Sequence, residues 1–281
     1  MIQFEVSLHG AELQSLTKAG REYLWQGDPA YWGRRAPILF PIVGQVAGGV
    51  FRVKGVEYRM GQHGFARDAE FERVGENAFK MVKAEHPNYP YECELYAKYE
   101  LNKDTLSCKW TVVNTGKEPM HFQIGAHPAF NLPDYNENDQ LHGYFQCFDK
   151  DGKPVNPLIK NSVNGGLRHP YPEVKTINSI IPITTDTFSD DAILIEDSQV
   201  AAVALLDKNK KPVLTVSCPQ AQAFGLWAPQ KPGCPFVCIE PWNGIADPVG
   251  FAGDIAEREL DHCLAVGESY LFEYSIEPEN C

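Results

Sequence analysis

The sequence predicts an all-β protein, built as a large antiparallel β-sandwich with few short helices. The first observation is a hydrophobic period of two along most of the chain, which is typical of half-buried strands. The second is the content of 23 glycines and 21 prolines, which interrupt the alternating runs where turns are expected. The third is the large number of runs, because one open sheet of that width has to curl or split into two packed layers.

The clearest element is a hairpin. Apolar and charged side chains alternate over residues 94–101, and the alternation resumes over residues 105–112 after a polar turn at 102–104. Two such runs joined by a short polar loop predict an antiparallel pair with one buried face and one wet face.

The same alternation predicts further strands along the chain, the first of them with a turn at Lys54-Gly55. These segments are residues 50–60, 79–83, 119–125, 193–196, 200–206, 213–218, 236–242 and 270–276. Short helical turns are expected near residues 29–33 and 254–260. The polar stretches 134–140 and 149–168 are expected to form surface loops.

The chain is expected to form a single domain over residues 1–281, because no linker with a shift in composition and no fixed repeat is found. The formal net charge of −12 argues against nucleic acid as a partner, since phosphate binding needs clustered Lys and Arg. No apolar stretch approaches the roughly 20 residues of a membrane helix, so no membrane partner is expected. The N-terminal residues show no secretory signal, and the expected location is the cytoplasm.

Eight cysteines raise the question of disulfides or a metal. The closest spacing is Cys234 to Cys238, one residue too long for a zinc knuckle, and no CxxC pair occurs. Cys93, Cys108 and Cys218 lie in strand-like apolar segments, where a reduced thiol packs as a small hydrophobe. Free thiols without a metal are therefore expected.

Polar residues interrupt apolar strands beside Gly or Pro in three segments, residues 61–68, 125–132 and 237–244. Ionisable groups at such positions favour function over packing. From spacing alone, His63 and His127 are still more often satisfied core or rim histidines than catalytic groups. Glu240 follows Phe-Val-Cys-Ile, so its carboxylate should be at least half buried and needs a partner or a raised pKa.

Taken together, these segments resemble the aldose 1-epimerase (galactose mutarotase-like) family, and in particular its bacterial LacX-type branch. The resemblance covers nearly the whole chain. It rests on Ala-Pro-Ile-Leu-Phe-Pro-Ile-Val-Gly at 36–44, Gln-His-Gly-Phe-Ala-Arg-Asp at 62–68, His-Pro-Ala-Phe-Asn-Leu at 127–132, Phe-Ser-Asp-Asp-Ala-Ile at 188–193 and Pro-Phe-Val-Cys-Ile-Glu-Pro-Trp-Asn-Gly-Ile-Ala-Asp at 235–247. It implies a β-supersandwich, in agreement with the periodicity.

The resemblance implies interconversion of the α and β anomers of an aldose, which needs one base, one acid and a sugar pocket, and neither metal nor cofactor. It implies Glu240 as the base at the C1 hydroxyl and His127 as the acid at the ring oxygen. His63 would hydrogen-bond the same region. Asp191 would accept a sugar hydroxyl, with its neighbour Asp190 as the rival for that role.

Aromatic contacts to the sugar are also implied. Trp227 and Trp242 could each offer a flat apolar face to the C–H side of a sugar ring. Packing in the core is the more common role for a tryptophan, so both alternatives stay open.

One position departs from the family pattern. The family usually has Arg directly after the Pro-Ile-Val-Gly stretch, and this chain has Gln45 there, which can donate hydrogen bonds but carries no charge. Arg34, Arg35 and Arg67 could instead bind a phosphate or another anionic substituent. The alternative is that Arg67 pairs with Asp68 or Glu70 and that the other two are rim residues.

Three functions therefore remain open. The favoured one is an aldose 1-epimerase acting on a small-molecule sugar, or on a sugar phosphate as a hexose-6-phosphate mutarotase. The second is a non-catalytic sugar-binding or sensing protein on the same scaffold. The third is a lyase or glycosidase; a glycosidase would need a second carboxylate about 5–10 Å from Glu240, supplied by Asp191 or Asp247. Either a monomer or a homodimer is compatible with the sequence.

Overall fold

Antiparallel strands account for nearly all regular structure in the computed structural model, which describes residues 1–82, 86–163, 166–169 and 174–279. The strands are β1 (Ile2–Val6), β2 (Leu13–Lys18), β3 (Arg21–Glu22), β4 (Ile38–Leu39), β5 (Val50–Val53), β6 (Val56–Arg59), β7 (Phe71–Gly75), β8 (Ala78–Met81), β9 (Cys93–Asn102), β10 (Thr105–Asn114), β11 (Met120–Phe122), β12 (Ile124–Ala126), β13 (Ala129–Asn131), β14 (Leu141–Phe148), β15 (Leu158–Val163), β16 (Leu167–Arg168), β17 (Lys175–Thr176), β18 (Ile180–Thr184), β19 (Ile193–Ile195), β20 (Ala202–Leu206), β21 (Pro212–Ser217), β22 (Ala223–Trp227), β23 (Phe236–Asn243), β24 (His262–Leu264) and β25 (Ser269–Pro278). Short 3₁₀ turns occur at Ala47–Gly49, Ala66–Asp68 and Ile255–Glu257. Over the described ranges, no helix has the length and apolarity to cross a membrane.

Two nine-stranded sheets form the sandwich. Sheet I has the order β18-β14-β20-β21-β25-β10-β9-β8-β7. Sheet II has the order β16-β15-β19-β22-β23-β12-β4, with β13 paired to β23 and β17 paired to β15. One hydrophobic cluster includes Trp110 and Phe272 of sheet I and Val237 and Ile239 of sheet II. The predicted large antiparallel β-sandwich is therefore confirmed.

The predicted hairpin is the centre of sheet I. β9 pairs with β10 over their whole length, with Leu101 opposite Leu106 and Ala97 opposite Trp110. The inward residues of β10 are fully buried and the alternate ones are only partly covered, as the period of two requires. The predicted turn at Lys54-Gly55 is also confirmed, since both residues have positive φ, the conformation of a two-residue hairpin loop.

Other local predictions have mixed outcomes. A helical turn forms at Ile255–Glu257, where Asp254 and Glu257 make a capping box. Residues 29–33 form one turn, in which Tyr31 N and Trp32 N both donate to the carbonyl of Asp28. The predicted loop over residues 149–168 is present only as far as residue 157, and the prediction was wrong beyond it, because β15 and β16 lie there at the edge of sheet II.

Free thiols are found at the seven described cysteines. Cys93, Cys108, Cys218 and Cys238 are buried, as expected for thiols in apolar strands. Cys281, and the last residue of the predicted segment 79–83, lie outside the described residues.

Candidate active site

The floor of the candidate site is one face of β23. All eight residues of this strand are buried, yet they point in two directions. Val237 and Ile239 point into the core between the sheets. Cys238, Glu240 and Trp242 point to the opposite face of sheet II. Two small hydrophobic clusters and a cavity lie on that face. An unbroken apolar strand therefore carries one buried carboxylate on its cavity side.

Strand register brings His127 beside Glu240. β12 pairs Gly125 with Trp242, and β13 pairs Ala129 with Cys238. The residue midway between them, His127, is therefore opposite Glu240 and on the same face. The pairing continues across the intervening Pro128, whose carbonyl accepts a hydrogen bond from Ile239 N.

On its other side, Glu240 is paired with Gly225 of β22. A Cβ at Gly225 would lie 2.6 Å from Cη2 of Trp242, far inside van der Waals contact. The absent side chain lets the indole lie across the strand, where it becomes part of the cavity wall.

The cavity has a volume of about 370 Å³, within the usual range of small-molecule sites of about 300–1,000 Å³. Its lining combines aromatic rings with titratable groups. The lining residues are Trp32, Gly44, Gln62, His63, Arg67, His127, Gly166, Asp191, Ala192, Leu194, Trp227, Glu240, Trp242, Ile245 and Ala246. Seven of these lining residues were singled out from the sequence as catalytic or sugar-contacting candidates: His63, Arg67, His127, Asp191, Trp227, Glu240 and Trp242.

His127 and Glu240 form a buried acid–base pair. Nε2 of His127 lies 3.1 Å from Oε2 of Glu240, and the two residues are 6% and 1% exposed. Burial, followed by the nearby charge of Asp191, raises the pKa of Glu240 well above its ordinary value. Burial, followed by the positive charge of Arg67, lowers the pKa of His127 to about 3. Either both groups are neutral or both are charged, and in each case the pair holds one proton.

His63 is fixed by its neighbour Gly44. The backbone N–H of Gly44 donates to Nδ1 of His63 over 3.1 Å, and His63 N donates to the carbonyl of Gly44 over 2.8 Å. Burial and the nearby His127 lower the pKa of His63 well below its ordinary value. Because Nδ1 accepts a hydrogen bond, the neutral ring carries its proton on Nε2, which makes His63 a donor.

The His63 loop depends on a glycine. Gly64 has a φ of +70° and forms a bridge with Phe40, and a Cβ there would lie 2.1 Å from the carbonyl oxygen of Phe40. His63 itself has a φ of +63°. Only a residue without a side chain allows this close approach, so the His-Gly sequence fixes the loop against the strand end that carries Phe40.

Asp191 and Trp227 are coupled. Nε1 of Trp227 donates to Oδ1 of Asp191 over 3.0 Å, and both residues line the cavity. Asp191 N also donates to the carbonyl of Phe188, which closes the turn that carries it. The neighbouring Asp190 is exposed and does not line the cavity. The structure thus places Asp191, rather than Asp190, at the site.

The three candidate arginines have different positions. Arg67 lines the cavity, with its Nε buried and without a hydrogen-bond partner, while its Nη2 donates to the carbonyl of Gln62. Burial, followed by the charge of Arg34, lowers the pKa of Arg67 to about 10. Its Nε lies 3.9 Å from Oδ2 of Asp68, a distant ion pair, so the alternative pairing of Arg67 is weak.

The expectation that Arg34 and Arg35 bind the substrate is not supported by their positions. Arg34 donates to Oδ1 of Asp68 over 2.8 Å, and Arg35 donates to the backbone of Gln14 and the side chain of Gln26. These partners hold both guanidinium groups away from the cavity lining.

Gln45 lies at the rim of the cavity rather than in its wall. Its carbonyl accepts a hydrogen bond from Asp247 N. Its Cβ is 3.8 Å from the position that a Cβ on the cavity-lining Gly166 would take. The cavity-lining amide is that of Gln62, a residue of the same predicted segment as His63 that was not singled out.

Next to the cavity-lining residue Ala246, Asp247 forms a buried ion pair with Arg258. Oδ1 of Asp247 accepts from Nε of Arg258 over 2.6 Å, and both residues are nearly inaccessible. Arg258 also donates to Oε1 of Gln123, and Asp247 accepts from Ala47 N through Oδ2. Asp247 is therefore occupied in joining three chain segments, and is not the second carboxylate that a glycosidase would need.

Trp32 is, besides Gln62, a cavity-lining side chain that sequence reasoning missed. Its indole stacks on the ring of His127, with centroids 4.8 Å apart and planes 27° apart, and it meets Trp227 edge-on at 5.8 Å. The only sequence signal was a group of aromatics, Trp25, Tyr31 and Trp32, in a segment without strand periodicity. A thiol is also close, since Cys238 Sγ, an imidazole nitrogen of His127 and a carboxylate oxygen of Glu240 all lie within 4.8 Å of one another.

Comparison with known proteins identifies the family of the chain. Residues 2–277 match the family described as Aldose 1-epimerase. Protein LacX (chromosomal) of Lactococcus lactis subsp. lactis is 32% identical over 255 residues, which cover 84% of this chain and 83% of LacX.

Solved structures show the same architecture. A galactose mutarotase related enzyme from Lactobacillus acidophilus has a TM-score of 0.90 and 31% identity, covering 100% of this chain and 95% of that chain. A galactose mutarotase-like protein from Lactobacillus casei has a TM-score of 0.85 and 26% identity, covering 99% of this chain and 97% of that chain. Together with the matched residues, these similarities mean that the chain belongs to the aldose 1-epimerase family.

Proposed function

We propose that the protein is a mutarotase that interconverts the α and β anomers of an aldose by opening and reclosing its ring. The observation that carries the proposal is the contact of 3.1 Å between His127 and Glu240 on the floor of a cavity of sugar size. A site that only binds sugar needs hydroxyl partners, whereas ring opening needs a base and an acid within reach of adjacent oxygens.

The proton balance of the reaction matches the single proton of this pair. In the charged form, Glu240 takes the proton of the C1 hydroxyl while His127 gives its proton to the ring oxygen. The bond between C1 and the ring oxygen breaks, and C1 becomes an aldehyde. After rotation about C1–C2, His127 takes the proton of the hydroxyl that the ring oxygen has become, and Glu240 gives its proton to the C1 oxygen. The bond between C1 and the ring oxygen forms again, and the other anomer results with the pair back in its charged form.

The remaining polar groups hold the sugar and stabilise charge. His63, with its proton on Nε2, donates to the ring-oxygen region as charge develops there. Asp191 accepts a hydrogen bond from a sugar hydroxyl, held in place by Trp227. Trp32 and Trp242 supply apolar faces to the sugar and keep water from the proton-transfer pair.

The test is anomer exchange measured by NMR saturation transfer on glucose and galactose, with Glu240→Gln as the blank. The amide keeps the shape of the carboxylate but cannot take a proton, so exchange should fall to the uncatalysed rate. His127→Asn should lower the rate by about two to four decades, the usual effect of a positioned acid. Full activity of Glu240→Gln would refute the assignment. Line broadening by bound sugar without exchange would instead support a binding protein.

A second candidate substrate is a sugar 6-phosphate. It is favoured by Arg67, which faces the cavity with a buried Nε that has no hydrogen-bond partner. Arg67→Met should then abolish exchange of the 6-phosphates selectively, and Arg34→Met, which alters a guanidinium outside the cavity, should not. Equal exchange of phosphorylated and plain hexoses by the Arg67→Met variant would exclude this candidate.

A further inference from the structure

Cys238 has no part in the proposed proton transfer, yet it belongs to the same floor. It is two residues before Glu240 on β23 and therefore points to the same face of the strand. Its partners on the neighbouring strands are Ala129 and Trp227. His127, Cys238 and Glu240 are all buried, with one ligand atom of each inside a span of 4.8 Å.

These three side chains are the ligand types that Zn²⁺ prefers. Zinc binds thiolate, imidazole and carboxylate at about 2.0–2.3 Å, which puts neighbouring ligand atoms roughly 3.3–3.7 Å apart in a tetrahedral site. His127 and Glu240 are already close to that spacing, at 3.1 Å. Oε2 of Glu240 is buried and faces Nε2 of His127, the neighbouring ligand, so an ion would take the place of the proton between these two atoms.

Charge also favours a zinc-type ion at this position. Binding would displace the thiol proton of Cys238 and the one proton of the His127–Glu240 pair. A doubly positive ion would then meet two negative ligands and one neutral imidazole, so the buried complex would carry no net charge. Magnesium and calcium need six or more oxygen ligands, which this cluster does not supply.

We propose that His127, Cys238 and Glu240 form a three-ligand site for Zn²⁺ and related thiophilic divalent cations, and that an ion bound there inhibits the enzyme. The fourth ligand position faces the cavity, since His127 and Glu240 both line it. A bound ion uses the lone pairs that proton transfer needs, so metal and turnover exclude each other. The inhibition rests on the proposed function, whereas the binding does not.

Binding is tested without reference to activity. Chelator-treated full-length protein is titrated with Cd²⁺, and the ultraviolet charge-transfer band of a cadmium–thiolate bond is recorded, with Co²⁺ as a second probe whose visible spectrum reports four-coordination. One equivalent should bind to the wild type. Cys238→Ala should lose the band, and Cys263→Ala, which removes an exposed thiol, should keep it. Absence of a band in the wild type, or a band lost with Cys263 instead, would overturn the proposal.

Inhibition is tested with Zn²⁺ in the anomer-exchange assay, with reversal by EDTA. Loss of an outer-shell partner already costs about 10–100-fold in metal affinity, so loss of a ligand in Cys238→Ala should raise the half-inhibitory Zn²⁺ concentration at least about tenfold. Cys238→Ser serves as a second variant if the alanine variant does not fold. An active enzyme unaffected by bound metal would refute the inference alone. Metal binding without anomer exchange would refute the proposed function and leave the metal site standing.

Discussion

The hydrogen bond from Trp227 to Asp191 gives a quantitative test of how the site holds its substrate. Trp227→Phe keeps most of the aromatic surface and removes the N–H that donates to Oδ1 of Asp191 over 3.0 Å. A hydrogen bond to a charged group contributes about 1.5–3 kcal/mol. Asp191 and Trp227 are only partly buried, so water can replace part of the contact. The lower end of that range applies, and it corresponds to a roughly tenfold weaker interaction.

If Asp191 binds a sugar hydroxyl, Trp227→Phe should raise KM about tenfold and change kcat by less than about twofold, because a loosened binding group loses affinity in ground state and transition state alike. KM and kcat follow from anomer exchange measured across a range of sugar concentrations. Trp110→Phe is the matched control, since its Nε1 is buried in the core without a partner and the substitution removes no hydrogen bond.

A double-mutant cycle with Asp191→Asn separates orientation from packing. If the indole acts through Asp191, the double variant should be little worse than Asp191→Asn alone, with a coupling energy of at least about 1 kcal/mol. Fully additive losses, or an unchanged KM in Trp227→Phe, would show that the hydrogen bond does not position Asp191.

Three further predictions concern the pair and its support. The one-proton form of His127 and Glu240 persists from the His127 pKa of about 3 up to the raised pKa of Glu240. As the pH is lowered, kcat/KM should therefore stay constant to well below pH 6, and it should fall on the alkaline side. A loss of kcat/KM on the acid side near the ordinary pKa of histidine would contradict the assignment. Trp32→Leu should move the acid-side loss of kcat/KM to higher pH, because water would reach the imidazole of His127 and raise its pKa. An unchanged pH profile would mean that the stacked indole does not shield His127 from water. Asp247→Asn should lower the free energy of unfolding in urea by about 3–5 kcal/mol, since it leaves the buried Arg258 without a counter-charge. Adding Arg258→Met should recover part of the loss. A cost below about 1 kcal/mol, which is typical of an exposed pair, would refute a stabilising role for this ion pair.

The fold was predictable because several of its strands, β9 and β10 among them, are covered on one side only. From Cys93 to Glu100 in β9 and from Thr105 to Val112 in β10, buried apolar side chains alternate with Glu, Lys, Ser, Thr and Tyr side chains that are less covered, so the period of two is visible in the residues themselves. β15 was missed because its sequence, Leu-Ile-Lys-Asn-Ser-Val, follows a polar run and includes three consecutive polar residues. Pairing with β19 makes it a strand, and partners distant in sequence cannot be found from a local pattern.

The site was predictable only in part, for a related reason. His63, His127 and Glu240 interrupt apolar segments, and a polar group inside such a segment has to be explained by function or by a partner. Arg34 and Arg35 differ because they lie in a segment without strand periodicity, where nothing in the sequence indicates which way they point. Their positions are decided by Asp68, Gln14 and Gln26, and those contacts exist only after folding.

The same strand register that packs the core also aligns the catalytic pair. Val237 and Ile239 are buried between the sheets, while Cys238 and Glu240, which alternate with them, point to the cavity. A slip of β23 by one residue against β13 would turn Glu240 into the apolar core and move Val237 and Ile239 out of it. The cost of burying an unpaired carboxylate and exposing those side chains therefore keeps Glu240 opposite His127. The stability of the sandwich enforces this register, so no further contact is needed to keep the strands of His127 and Glu240 aligned. The stacked Trp32 then has only to orient the imidazole ring of His127.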